Sequence, residues 1–300
     1  MTWRTKSRKL PSAIPAQMVQ DTLLEFERVV HDPELVEQLK KAGYRTHPTD
    51  LNAVFDIKTP AEITRSGDNK YVWHYGEITR AALSSLAGLP KELTDLVDLS
   101  GEMYEHGCEV ASPLLDVLGA QIGLPKLTND ILAPLIEGIA VTPNNHLRLI
   151  AYMGQSEDSS SGLLSSGLPD LATPHYDLSI LSLEHGASRH GFYECADYGV
   201  LQYSLAPGDA LAFVGLGLQK YIDYNEVTSK DVPLPMPHGA HDLGSKIFEH
   251  AYPDTRRLTA VQFFSTHHQI APVSSTIEEA RGLNASLRAQ ALSLDDGARK

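Results

Sequence analysis

Residues 180–214, ILSLEHGASRHGFYECADYGVLQYSLAPGDALAFV, decide the fold. Ile180-Leu181-Ser182-Leu183, Gly191-Phe192-Tyr193-Glu194, Val200 to Leu205 and Ala210-Leu211-Ala212-Phe213-Val214 are short apolar runs, and Pro207-Gly208-Asp209 is a turn between the last two. Short runs punctuated by Gly and Pro predict strands of a sandwich or barrel. Upstream, His146-Leu147-Arg148-Leu149-Ile150-Ala151-Tyr152 alternates as a further strand, and Arg257 to Phe264 is the last clear one. A strand-rich core over residues 138–270 is therefore expected.

The first 125 residues read as mostly helical. Leu23, Leu24, Phe26, Val29 and Val30, then Leu35, Val36 and Leu39, recur at three-to-four spacing. Asp32-Pro33 divides this stretch into two helices, and Gly43 is placed as a C-cap. Met103 to Ile122 predicts another helix, with Pro113 kinking it or marking a junction. Asn52 to Ile57 and Tyr71 to Tyr75 read as strand or ordered loop. Ser156 to Gly167 is too polar to pack and is expected to be a mobile loop or lid. Ser275 to Ala291 predicts a C-terminal helix, with Ser275 as N-cap and Glu278 completing a capping box. The expected class is α+β in one domain, 1–300: helical over 1–125, strands over 138–270, a helix over 275–291.

A formal net charge of -13 argues against a nucleic-acid partner. No apolar run approaches the roughly 18 residues of a membrane span. The start is basic, but no apolar h-region follows, so no secretory signal is expected. Two cysteines, Cys108 and Cys195, do not make a disulfide framework, and a reducing, cytoplasmic setting is expected.

The chemistry concentrates at His175-Tyr176-Asp177. On a strand, residues i and i+2 share a face, so an imidazole and a carboxylate would project together. One more His completes two His and one carboxylate with open positions, which suits non-haem Fe(II). H-x-D alone is a common triplet. The candidates for the third ligand are His238, His241 and His250. Prolines 233, 235 and 237 disfavour a central strand reaching His238, and His250 is too near Arg257 to leave room for a ligand. His241, with Leu243 two residues on, is favoured over His238. Arg257 and Thr259 share a strand face with Val261 and Phe263. A buried Arg needs a partner, either a ligand carboxylate or a distant Asp or Glu of the chain. Tyr152 could donate a hydrogen bond to the same anion or serve as a core aromatic. Arg148 is expected as a surface ion pair, with pairing to an acidic substrate as the alternative.

The order of these features resembles the isopenicillin N synthase-like branch of the Fe(II)/2-oxoglutarate-dependent dioxygenases. The matching stretches are Leu147 to Tyr152, Pro174 to Asp177, Ala206-Pro207-Gly208-Asp209, Leu216-Gly217-Leu218-Gln219, a distal His, and Arg257-Leu258-Thr259 before Val261 to Phe264. They cover residues 103 to 270. The resemblance implies a double-stranded β-helix (jelly-roll) core, with Fe(II) on His175, Asp177 and the distal His. It implies 2-oxoglutarate held by Arg257, Thr259 and Tyr152, and no catalytic residue beyond the metal centre. The chain departs from the pattern at Ile150, where many members have Asn. It carries Thr259 in place of Ser, and has a long stretch between Gln219 and the distal His. The implied activity is oxidation of a small molecule with O2, in specialised or amino-acid-related metabolism: hydroxylation, desaturation or ring formation. The alternatives are an oxidase of the same fold that needs no 2-oxoglutarate, a zinc-dependent hydrolase or isomerase, and a non-catalytic, metal-binding cupin-like barrel.

Overall fold

Asp32 does more than interrupt the first helical stretch. Its Oδ1 accepts hydrogen bonds from the backbone N–H groups of Glu34 (2.9 Å) and Leu35 (3.2 Å). Asp32 thus caps a second helix that starts at Pro33, where a missing N–H costs nothing. The computed structural model describes residues 7–41, 55–57, 70–76, 90–141, 143–154, 170–196, 199–229, 231–241 and 245–267. The expected loop at 156–167, the helix at 275–291 and the cap at Gly43 lie outside them.

Strand β1 (Ser7–Leu10), helices α1 (Ala16–Val30) and α2 (Pro33–Lys41), and strands β2 (Phe55–Ile57) and β3 (Lys70–Tyr75) come first. Helix α3 (Lys91–Ile122) starts well before Met103 and runs through Pro113, and α4 (Leu127–Leu132) follows. A small hairpin of β4 (Leu135–Ile136) and β5 (Ile139–Ala140) leads to the strand-rich part. This contains β6 (His146–Met153), β7 (Asp170–His175), β8 (Leu181–Ala187), β9 (Phe192–Ala196), β10 (Gly199–Gln202) and β11 (Ala210–Val214). Helix α5 (Leu216–Tyr224), β12 (His238–His241) and β13 (Thr255–Phe264) complete the described chain. None of its helices is long and apolar enough to cross a membrane.

The strands form two antiparallel sheets besides the hairpin. One has seven strands in the order β1-β11-β8-β13-β6-β3-β2, the other four in the order β10-β9-β12-β7. The turn at Pro207-Gly208-Asp209 closes with Asp209 N–H donating to Ala206 O at 2.9 Å. Gly208 takes φ +84°, and the Asp209 carboxylate accepts back from Ala206 N–H at 2.8 Å. Pro followed by a left-handed Gly is the chemistry of a tight turn, and it delivers the chain into β11.

Alternation explains how the large sheet serves two purposes. Leu147, Leu149 and Ala151 of β6, Leu181 and Leu183 of β8, and Leu258, Ala260 and Phe264 of β13 join one buried cluster with Phe26, Leu115 and Leu118 of the helices. The opposite parity, Arg148, Ile150 and Tyr152 with Arg257, Thr259, Val261 and Phe263, lines a cavity that residues of the smaller sheet also line. A strand buried on both faces can be apolar throughout. The polar residues on one parity here therefore mark the functional face.

Helix α3 is held close to the sheet at Gly107. A Cβ there would come 1.9 Å from Gln262 Oε1 and 2.5 Å from His185 Cε1. Gln262 is buried and cannot swing away. Its Oε1 lies 3.0 Å from His185 Nε2, and its amide donates to Tyr104 O at 3.1 Å. Burial holds His185 neutral, lowering its pKa to about 3. Gly107→Ala would gain about 0.5–1 kcal/mol of helix propensity. It would lose more to overpacking, typically about 1–3 kcal/mol. We expect a net loss of unfolding free energy, measurable as a lower denaturant midpoint at unchanged m-value. An unchanged or raised midpoint would show that the helix backs away freely.

Candidate metal centre and ligand cavity

A cavity of about 290 Å³ lies where the two sheets meet. Its lining includes His175, the last residue of β7, Asp177 just beyond it, and His238, the first residue of β12. One ligand atom from each lies within 4.8 Å of the others. Asp177 Oδ1 is 3.7 Å from Nε2 of both histidines. Strand alternation is not what joins His175 to Asp177, because β7 ends at His175. The turn after the strand carries the carboxylate in, anchored where Asp177 O accepts Leu216 N–H at 2.8 Å.

The surrounding contacts orient Asp177 and His238. Ser182 Oγ donates to Asp177 Oδ2 at 2.5 Å, leaving Oδ1 toward the imidazoles. His238 Nδ1 lies 3.1 Å from Met236 O, so Nδ1 carries the proton and Nε2 keeps its lone pair. Phe192 stacks on the His238 ring at 5.1 Å between centroids, and Phe213 meets it edge-on at 4.7 Å. Two imidazole nitrogens and one carboxylate oxygen fit an Fe(II) ion with open positions.

The third position differs from the expectation. His241 is outside this group, and His238 is the histidine beside Asp177. The two are three residues apart on β12, so they take opposite parities, and the ladder to β7 is irregular between them. The His241 ring instead packs on Tyr193 at 5.0 Å, with its Nε2 3.5 Å from Gln202 Nε2. The prolines do not stop His238 from reaching the centre. Pro237 stands just before β12, and its carbonyl accepts Cys195 N–H at 2.8 Å, so the strand begins where the prolines end. His250 is held by Thr255 O (2.8 Å) and Ser188 Oγ (2.6 Å), away from the cavity.

Arg257, Thr259 and Tyr152 all line the cavity, and Tyr152 is the cross-strand partner of Arg257 in the β6–β13 ladder. Arg257 already has an acid, however. Its Nη2 lies 2.8 Å from Glu184 Oε1 of β8, and the Thr259 hydroxyl is 3.2 Å from that same oxygen. Both ion-pair side chains are almost fully buried. A register shift in the β8–β13 ladder sets Glu184 opposite Val261, with Gly186 at φ +149° accommodating the bulge. The distant-acid alternative for Arg257 is thus what the structure contains, and Glu184 is the site residue that the sequence motifs leave out. A signal for it exists in the sequence: a charged residue inside Leu181-Ser182-Leu183-Glu184 has no place in a strand buried on both faces unless a partner waits. Glu184 Oε2 has no hydrogen-bond partner among the described residues. Arg148 is half-buried. It lines the cavity with its guanidinium 4.9 Å from the Phe263 ring centre.

No protein-family model matches this chain, and no curated sequence is similar to it. Solved structures do resemble it. A Shewanella oneidensis protein assigned as an oxygenase is 16% identical, with TM-score 0.61 over 93% of this chain and 91% of that one. A full-length Neurospora crassa protein, solved in complex with alpha-KG, is 15% identical, with TM-score 0.57 over 88% and 76%. JOX2, in complex with 2OG, Fe and JA, is 11% identical, with TM-score 0.57 over 89% and 69%. The chain shares their fold. It is a mixed fold of helices on antiparallel sheet, as the strand punctuation of residues 180–214 and the N-terminal helical spacing predict.

Proposed function

We propose that this chain is a non-haem Fe(II)- and 2-oxoglutarate-dependent oxygenase that oxidises a small molecule, with Fe(II) held by His175, Asp177 and His238. The observation that carries this is the convergence of those three donors in a cavity that Arg257, Thr259 and Tyr152 also line. The shared fold with structures that hold 2-oxoglutarate and iron supports the same reading. On it, the two sheets are the double-stranded β-helix of the isopenicillin N synthase-like branch, residues 1–300 form one oxygenase domain, and the setting is cytoplasmic.

Bound there, Fe(II) with 2-oxoglutarate and O2 supplies oxidation of a substrate C–H bond coupled to release of succinate and CO2. The chain's own residues hold and orient. Ser182 fixes the Asp177 carboxylate, Met236 O fixes the His238 tautomer, and Phe192 and Phe213 shield the imidazole from water. Arg148 and Lys70 are both on the cavity wall, and their positive charge favours an acidic substrate.

Adding Fe(II) and 2-oxoglutarate anaerobically should give a weak metal-to-ligand absorption band in the visible, and O2 should then yield succinate. A folded, iron-loaded protein that gives neither would sink the 2-oxoglutarate assignment. The Glu184–Arg257 pair favours one second reading, an oxidase of this fold that uses no oxoacid. Oxygen uptake with substrate alone would support it.

A further inference from the structure

Glu184 changes what the Arg257 clamp can recognise. In a guanidinium clamp built for a dicarboxylate, the cation is free to take two carboxylate oxygens side by side. Here Arg257 and Thr259 both converge on Glu184 Oε1, so the charge of the clamp is already balanced. A bare carboxylate arriving at Arg257 would meet the Glu184 carboxylate, two like charges on one cation in a buried site. Meanwhile Oε2 of Glu184, in a residue 1% exposed on the cavity wall, accepts from nothing among the described residues. A buried acceptor without a donor is costly, and a ligand that supplies the donor recovers that cost.

We propose that Glu184 is a specificity-determining residue of the clamp, which accepts a ligand end offering an acceptor to Arg257 and a donor to Glu184 Oε2. Two ligand ends have that chemistry. One is a carboxylate that brings a proton with it, so that one carboxyl and one carboxylate share the guanidinium. The other is a neutral carboxamide. This rests on the oxygenase reading and refines its co-substrate: 2-oxoglutarate enters with one proton taken up, and an amide-ended analogue enters with none.

The surroundings allow the proton. Burial pushes the Glu184 carboxyl above its ordinary range, opposed by Arg257 and the Thr259 hydroxyl. The charged and titratable groups around it are Arg257 from β13, His238 from β12 and, lining the same cavity, Arg148 from β6, Lys70 from β3, His175 and Asp177. On its own strand, His185 turns to the opposite face, toward Gln262.

The test is calorimetry on the metal-loaded protein under anaerobic conditions, in buffers of different ionisation enthalpy, for the wild type and Glu184→Gln. The ligands are 2-oxoglutarate, its stable isostere N-oxalylglycine, and the amide of that isostere at the glycine carboxyl. In the wild type we expect about one proton taken up with 2-oxoglutarate and N-oxalylglycine, and affinity falling about tenfold per pH unit through the alkaline range. The amide should bind without proton uptake and more tightly than N-oxalylglycine at pH 8. Glu184→Gln should lose the proton uptake and the pH slope, bind 2-oxoglutarate more tightly at pH 8, and prefer the acid over the amide. Binding of 2-oxoglutarate to the wild type with no proton uptake and no pH slope would overturn this inference alone. If metal binds but neither protein takes any oxoacid, the co-substrate reading falls, and this inference with it.

Discussion

Replacing His238 with alanine is expected to strip Fe(II) from the protein, weakening it by more than about 100-fold, while His241→Ala leaves metal affinity within a fewfold of the wild type. Outer-shell partners alone commonly change metal affinity by about 10–100-fold, and a direct ligand should exceed that. The expectation follows from where the two rings stand. His238 Nε2 is 3.7 Å from Asp177 Oδ1, whereas the His241 ring lies on Tyr193. Ser182→Ala should fall between them, at about 10–100-fold, because its hydroxyl only turns Asp177 Oδ1 toward the imidazoles. Equilibrium dialysis with metal analysis gives the affinities, and near-UV circular dichroism checks that each variant is folded. Metal retained by His238→Ala but lost from His241→Ala would move the centre to the other face of β12.

The part of this centre that sequence could reveal is the part written in local patterns. His175 and Asp177 are two residues apart and stay together whether a strand or a turn carries them. Arg257, Thr259, Val261 and Phe263 alternate on β13, and they do line one cavity wall. What the sequence hid depends on pairings far along the chain. The prolines before His238 argue against it as a strand residue, yet a strand that starts immediately after Pro237 needs no N–H from any of them. Choosing between His238 and His241 needs the register of β12 against β7, and that ladder is irregular. Glu184 belongs to Arg257 only because β8 and β13 are neighbours in the sheet and a bulge shifts their register. The same limit applies to the helices: amphipathic spacing locates α1 and α3, but the contact at Gly107 depends on Gln262, which comes from the last strand.

Arg257→Met should cost about 3–5 kcal/mol of stability, because it leaves a carboxylate buried beside Thr259 without its cation. The loss should be more than a lost contact, since Glu184 would have only the Thr259 hydroxyl for its charge. Changing both residues, Arg257→Met with Glu184→Leu, should recover most of it, as replacing a whole buried ion pair by apolar side chains is often close to neutral. The non-additivity is itself the measurement: the double variant should be more stable than the sum of the single losses by about 2 kcal/mol or more, near the upper end of couplings between contacting residues. The pH dependence carries a sign. Glu184 has its folded pKa raised above the ordinary 4.5, so its protonated form suits the fold. Its contribution is fully present below that ordinary value and is lost as pH rises through the folded pKa. Losing Arg257, which lowers that pKa, raises it further. The deficit of Arg257→Met should therefore be largest at neutral and alkaline pH and should shrink toward pH 4. Urea unfolding of the four proteins across that range decides the matter. Additive losses with no pH dependence would mean that Glu184 and Arg257 do not act as a pair, and the clamp would then be open to a bare carboxylate after all.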